Sequence, residues 1–102
     1  MIFRSQAVIN YILSGAKYVA TIRECSYYKD KVGKTVLLKL LDRRLKGKVL
    51  EVARVEDAGK YVSISGFRTV VEWLNEAKRL HGVNSLNNLC IVVVEVVGHM
   101  GK

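Results

Sequence analysis

Residues 15–23 read Gly-Ala-Lys-Tyr-Val-Ala-Thr-Ile-Arg and contain the corner around which the fold is built. The glycine at the start is typical of a helix C-terminus, and the β-branched and aromatic residues that follow favour a strand. Lys17, Thr21 and Arg23 place two cations and a hydroxyl at this corner. Thr21 and Arg23 are two positions apart, so they share one face of the strand. This cluster predicts a site for a phosphate or a nucleobase.

The elements on either side of the corner belong to an α+β pattern. Residues 2–3 indicate a short strand, and apolar residues at helical spacing after Ser5 predict the first helix, with Ser5 as its N-cap. Residues 24–34 contain Asp, Gly and several Lys, and they predict a loop. Residues 61–64 indicate a further short strand.

A hairpin is predicted in the middle of the chain. Its strands are the apolar residues 35–41 and 49–55, and the charged residues 42–48 form the connection, with Gly47 as the flexible position. The cations of this predicted connection are Arg43, Arg44, Lys46 and Lys48.

The last third of the chain gives the clearest signals. Thr69 and Glu72 form a capping box that starts a helix, and Gly82 ends it. Residues 89–97 form a continuous apolar run, which predicts a strand buried on both faces. Strands and helices do not alternate regularly, so a doubly wound sheet is disfavoured. We expect one domain over residues 1–102, with several strands in a small barrel and two helices.

The net charge of +8 is concentrated in one half of the chain. Residues 1–54 hold twelve Lys or Arg and four Asp or Glu, whereas residues 55–102 hold five of each. A one-sided basic surface favours a polyanionic partner such as nucleic acid. The alternative is a charged surface that serves solubility, in a protein-interaction domain.

Composition also excludes several classes of protein. The longest apolar run is far shorter than a membrane span, and polar residues follow Arg4 where a signal peptide would be apolar, so a cytoplasmic protein without membrane contact is expected. In that compartment Cys25 and Cys90 are expected to be buried free thiols rather than a disulfide. Isolated His81 and His99 give no metal-ligand pattern, and no cofactor or metal is expected.

The chain resembles the ASCH superfamily, whose domains share a PUA-like β-barrel. Residues 12–17, Ile-Leu-Ser-Gly-Ala-Lys, are similar to the helix end and Gly-x-Lys turn of that family, and residues 21–23, Thr-Ile-Arg, to its Thr-x-Arg strand start. Residues 66–74 resemble its second helix, and residues 92–97 its final strand. This chain has one extra residue between Lys17 and Thr21, which a strand bulge would absorb.

The resemblance implies a PUA-like mixed barrel that binds RNA or a nucleotide in a basic cleft. It also implies an alternative function, an amidohydrolase acting on N(4)-acetylcytidine or a similar modified nucleoside. In that alternative Lys17 is the nucleophile or base, Thr21 a hydroxyl partner and Glu72 a proton shuttle. Glu72 has a second interpretation, because a capping-box acid needs no catalytic role.

The predicted nucleic-acid contacts combine cations with aromatic rings. Two neighbouring tyrosines beside lysines offer stacking surfaces for bases, although one exposed ring is sufficient. The alternative is that these tyrosines cover the core. Oligomeric state is left open. The predicted contact residues are Lys17, Arg23, Tyr27, Tyr28, Lys29, Lys31, Arg43, Arg44, Lys46 and Lys48.

Overall fold

A computed structural model describes residues 1–99 of the protein. Five strands and three helices follow one another along these residues, with two 3₁₀ segments between the fourth strand and the last helix. The strands are β1 Ile2–Phe3, β2 Tyr18–Glu24, β3 Thr35–Leu40, β4 Arg43–Arg54 and β5 Leu89–His99. The helices are α1 Gln6–Leu13, α2 Cys25–Tyr28 and α3 Val70–His81, and the 3₁₀ segments are Val55–Lys60 and Val62–Ile64.

All five strands form one mixed sheet in the order β1-β3-β4-β5-β2. The β1–β3 pair is parallel and the other pairs are antiparallel. The sheet curls into a half-barrel, so its two edge strands approach each other. The Arg23 guanidinium of β2 lies 4.8 Å from the ring centre of Phe3 in β1. The predicted fold class, a small PUA-like mixed β-barrel, is confirmed. The prediction of two helices misses α2, a third helix of one turn. Residues 100–102 of the predicted domain lie outside the described part of the chain.

Helices cover both faces of the central strands. Helix α1 packs with Val92 and Val94 on the inner face, whereas Trp73 and Ala77 of α3 pack with Ile91 on the outer face. Residues 91–94 are therefore buried in succession, so the prediction of a strand covered on both faces is correct for these four residues. It is wrong for the end of the predicted range 89–97, since Val97 is 57% exposed. Helix α3 begins and ends at the predicted residues: the Thr69 hydroxyl accepts the backbone N–H of Glu72 at 3.1 Å, and left-handed Gly82 caps its C-terminus. Only this half of the predicted capping box forms, since the Glu72 carboxylate accepts no hydrogen bond from the Thr69 N–H in residues 1–99.

The predicted hairpin connection over residues 42–48 is wrong. Strand β4 begins at Arg43, and the turn consists of Leu41 and Asp42. The cations at 44, 46 and 48 alternate with buried residues, which is the period of a half-buried strand. Gly47 serves close packing, because a Cβ there would lie 2.6 Å from Cγ1 of Val94.

Three smaller predictions also need correction. Residues 24–34 are not entirely a loop, because α2 forms one helical turn in them. Residues 61–64 are not a strand, since they lie in the 3₁₀ region. The expected free thiols are instead a disulfide between Cys25 and Cys90, whose Cα atoms are 5.0 Å apart. The pairing follows from the sheet register: Cys90 in β5 lies opposite Arg23 in β2, and Cys25 follows the last residue of β2.

Among the described residues, no helix combines the length and apolar character of a membrane span.

Candidate functional site

A cavity of about 50 Å³ lies where the edges of the half-barrel approach each other, between β1, β2, the start of α1 and helix α3. We call it the seam cavity. Phe3, Val8, Trp73 and other apolar residues form its walls. Its polar lining consists of Arg4, Ser5, Thr21, Arg23, Glu76 and His81. The space is sufficient for roughly three or four water molecules, or for one small polar group.

Arg23 is the half-buried cation of this cavity. Its Nε donates a hydrogen bond to the Thr21 hydroxyl at 3.1 Å, which confirms that the two side chains share a face. The Phe3 ring covers one side of the guanidinium. Among residues 1–99 no carboxylate lies within 4.0 Å of it, and its two terminal nitrogens have no protein acceptor.

The electrostatic setting of Arg23 is unfavourable for a cation. Burial lowers the pKa of its guanidinium; the neighbouring Tyr28 partly opposes this effect, and the positive charge of Arg4 adds to it. Arginine nevertheless stays charged at neutral pH. The structure therefore holds a desolvated positive charge whose terminal N–H donors point to no protein acceptor in the described chain.

Ser5 adds a buried hydroxyl to the same cavity. It is the N-cap of α1 and is 6% exposed, yet its side chain makes no capping bond and has no other partner among residues 1–99. No fully buried side-chain oxygen or nitrogen lacks a partner in the described residues, so this hydroxyl is reachable from the cavity. The first backbone N–H groups of α1, beside Ser5, have no partner within the helix.

The other two polar residues of the seam cavity are already engaged. Both carboxylate oxygens of Glu76 accept hydrogen bonds from Arg79, at 2.9 and 2.7 Å. That ion pair lowers the pKa of Glu76. His81 Nε2 donates to the backbone oxygen of Ile22 at 3.1 Å, which ties the end of α3 to the edge of β2.

A wide polar groove of about 800 Å³ adjoins the seam cavity and shares Arg23 and His81 with it. Tyr27 is 56% exposed, and the Lys31 ammonium lies 4.9 Å from its ring centre. Tyr28 is 8% exposed and packs edge-to-face against Tyr27. One tyrosine is thus available for stacking and the other belongs to the core, while Lys29 is exposed after α2. The groove is also lined by residues with amide and hydroxyl side chains: Asn84, Ser85, Asn87 and Asn88.

The structure does not bring Lys17 into this site. Lys17 precedes β2 and Arg23 lies near its far end, so about 20 Å of strand separates the two residues. Lys17 and Arg43 instead line a cavity at the opposite end of the strand. The β2–β5 register is continuous from Tyr18 to Glu24, so no bulge in β2 absorbs the extra residue of the motif.

Glu72 also lies elsewhere. It lies on the exposed side of α3 and lines a third cavity together with Arg68 and Asn75. Lys17, Thr21 and Glu72 therefore line three different cavities, and no hydrogen bond joins any two of their side chains. Their arrangement resembles no catalytic trio in which base, hydroxyl and acid meet.

The outer face of the sheet holds a second cationic surface. Its members alternate with buried residues and are exposed. Lys39 lies directly opposite Arg44 across the β3–β4 pair, and Lys48 lies opposite Glu95 across β4–β5. None of the cations has a carboxylate within 4.0 Å in the described residues. We call this surface the basic sheet face: Lys39, Arg44, Lys46 and Lys48.

Sequence reasoning missed part of each surface. Lys39 was not among the predicted contacts, although its alternation with Leu38 and Leu40 is the signal of an outward strand position. Ser5 is predicted as an N-cap and not as a binding residue, Arg4 belongs to no motif, and the groove asparagines have no local signal.

Fold and site together define a small α+β protein whose mixed half-barrel has a cationic cavity at its seam and a cationic outer face. No family model matches the chain, and no solved structure matches it. The chain is 52% identical, over 83 residues, to "Uncharacterized protein 105" of Sulfolobus islandicus rod-shaped virus 1. The match covers 79% of this chain and 77% of the viral protein. The chain therefore belongs to the family of that viral protein.

Proposed function

We propose that the protein binds RNA, preferably single-stranded, across its basic sheet face. The observation that supports this proposal is the row of exposed cations on one face of β3 and β4, with Lys39 directly opposite Arg44. Like charges in directly opposite positions destabilise a sheet. A polyanion bound across this face would offset that repulsion.

The spacing of the row suits an extended phosphate backbone. Arg44, Lys46 and Lys48 occupy alternate positions of β4, so successive side chains emerge about 7 Å apart. This separation is comparable to that of neighbouring phosphates along a single strand. Each Lys or Arg that neutralises a phosphate releases counterions and so contributes to affinity.

Single strands are favoured over duplex DNA. Reading a major groove requires a helix with several basic residues on its exposed side. Helix α3 has only Lys78 and Arg79 in its last turn besides His81, and Arg79 is paired with Glu76.

The test compares two pairs of substitutions that remove the same charge. Arg44→Gln with Lys46→Gln alters the basic sheet face, whereas Lys60→Gln with Arg68→Gln alters exposed cations elsewhere. Fluorescence anisotropy with a mixed-sequence single-stranded RNA pool at low salt should show weaker binding for the first pair alone. Undetectable binding of the wild-type protein, or equal loss for both pairs, would reject the proposal.

The amidohydrolase alternative receives no support from the geometry, since Lys17, Thr21 and Glu72 line separate cavities. It remains a prediction of the ASCH resemblance, as does membership of that superfamily. A cytoplasmic location also remains a prediction.

A further inference from the structure

We propose that the seam cavity is a binding site for a phosphomonoester group, held by Arg23, Ser5 and the N-terminus of α1. This site is separate from the basic sheet face and uses none of its residues. It would be present whether or not the sheet face binds RNA.

Arg23 provides the primary contact. Its guanidinium is fixed from two directions, by the Nε hydrogen bond to Thr21 and by the ring of Phe3. The remaining N–H groups are the planar fork that fits two oxygens of a phosphate. A dianion would also offset the cost of placing this cation in a half-buried site beside Arg4, a cost that appears in the lowered pKa of Arg23.

Ser5 and α1 provide the second contact from the other side of the cavity. The free backbone N–H groups of a helix N-terminus favour an anion. A helix end alone is a common feature, but here the N-cap residue Ser5 is 6% exposed and lines the cavity, and its hydroxyl has no partner within residues 1–99. A serine whose hydroxyl caps nothing is available to donate to a ligand oxygen.

The size and charge of the cavity agree with a tetrahedral anion. About 50 Å³ accommodates a group of a few heavy atoms, and an entire nucleotide would not fit. The one carboxylate in the lining, Glu76, is held by two hydrogen bonds from Arg79, so its charge is neutralised locally. The positive contributions of Arg4, Arg23 and the helix end therefore outweigh it.

The adjoining groove favours a phosphate attached to an organic group. Arg23 and His81 line both spaces, so a phosphate in the seam cavity would direct its substituent into the groove of about 800 Å³. There the exposed ring of Tyr27 offers a stacking surface, and Asn84 and Asn88 offer hydrogen-bonding amides. A nucleoside monophosphate and the terminal phosphate of an RNA strand share this chemistry.

The test uses the full chain and four probes at matched ionic strength: inorganic phosphate, a nucleoside 5′-monophosphate, and one short RNA with and without a 5′-phosphate. Calorimetry and ³¹P NMR should show saturable binding of at least the first two probes. Ser5→Ala should weaken binding about tenfold, the loss typical of a hydrogen bond to a charged group. Arg23→Gln should abolish it, and Lys60→Gln, an exposed cation that lines neither the seam cavity nor the groove, should leave it unchanged.

Each outcome decides the proposal or identifies the source of the phosphate. Preference for the 5′-phosphorylated RNA supports a strand end as ligand, and binding of the small probes without that preference supports a free nucleotide or phosphate. Absence of saturable binding to all phosphorylated probes overturns the proposal, as does equal affinity of wild type and Ser5→Ala. Circular dichroism of Arg23→Gln checks its folding, and Ser5→Ala remains decisive if that variant unfolds. RNA without a 5′-phosphate reports on the basic sheet face separately.

Discussion

The basic sheet face predicts a specific dependence of RNA affinity on salt. Each phosphate neutralised on a single strand contributes about −0.7 to the slope of log affinity against log salt concentration. If the four cations Lys39, Arg44, Lys46 and Lys48 each contact one phosphate, they contribute about −2.8 to the slope. Removing two of them, Arg44→Gln with Lys46→Gln, should reduce the magnitude of the slope by about 1.4.

The assay is a series of anisotropy titrations of one labelled single-stranded RNA at increasing potassium chloride concentration. The wild-type protein, the sheet-face variant and the control variant Lys60→Gln with Arg68→Gln are compared in the same buffers. We expect the control slope to match the wild type, because both control residues lie outside the basic sheet face. A sheet-face variant with an unchanged slope, or a control with an equal reduction, would refute the assignment of phosphate contacts to this face.

Two further predictions concern stability. Gly47→Ala should destabilise the protein by about 1–3 kcal/mol, because the added Cβ would be overpacked against Val94. Urea denaturation measures this loss. The control Gly59→Ala should change the urea midpoint far less, because no atom lies within 4 Å of the added Cβ. Cys25→Ser with Cys90→Ser removes the disulfide, which links residues 65 positions apart. The double variant should lose about 4 kcal/mol of unfolding free energy in urea, because the unfolded chain gains loop entropy. Reductant should lower the urea midpoint of the wild type similarly, and an unchanged midpoint would contradict a contribution of the disulfide to stability.

Local sequence signals predicted helix α3 and strand β5, because capping residues and a continuous apolar run are visible within a short stretch of sequence. Helix α3 begins after Thr69 and ends before Gly82 in the structure, as the sequence pattern predicts. The apolar run 89–97 indicated burial on both faces because consecutive apolar residues face both sides of a strand, and residues 91–94 within it are buried. These signals were sufficient for the α+β class and for most of the element order.

The sequence pattern puts the β3–β4 turn in the wrong place because charged residues are common in loops. In β4 the charges are compatible with a strand, since Lys46 and Lys48 face outward while Leu45 and Val49 fill the core. The decisive signal was the period of two, and the charge content was a weaker one. Gly47 added to the error, because its role is to allow a close approach of Val94.

The candidate site depends on contacts that no local pattern encodes. Arg23 and Phe3 meet because the sheet curls and brings its edge strands together. Ser5 joins them through the position of α1 on the inner face. The disulfide also depends on a contact between distant parts of the chain, because Cys25 and Cys90 become neighbours through the antiparallel pairing of β2 with β5. Lys17 and Arg23, although close in sequence, lie apart because a strand extends between them.

Backbone amide chemical-shift mapping with a single-stranded RNA lacking a terminal phosphate is the most direct test of the central proposal. An RNA bound across the basic sheet face should shift the amides of Lys39, Arg44, Lys46 and Lys48 in a saturable manner. The amides of Lys60 and Arg68, outside that face, should remain unchanged. Shifts concentrated around Lys60 and Arg68, or no saturable shifts at low salt, would contradict RNA binding through the basic sheet face.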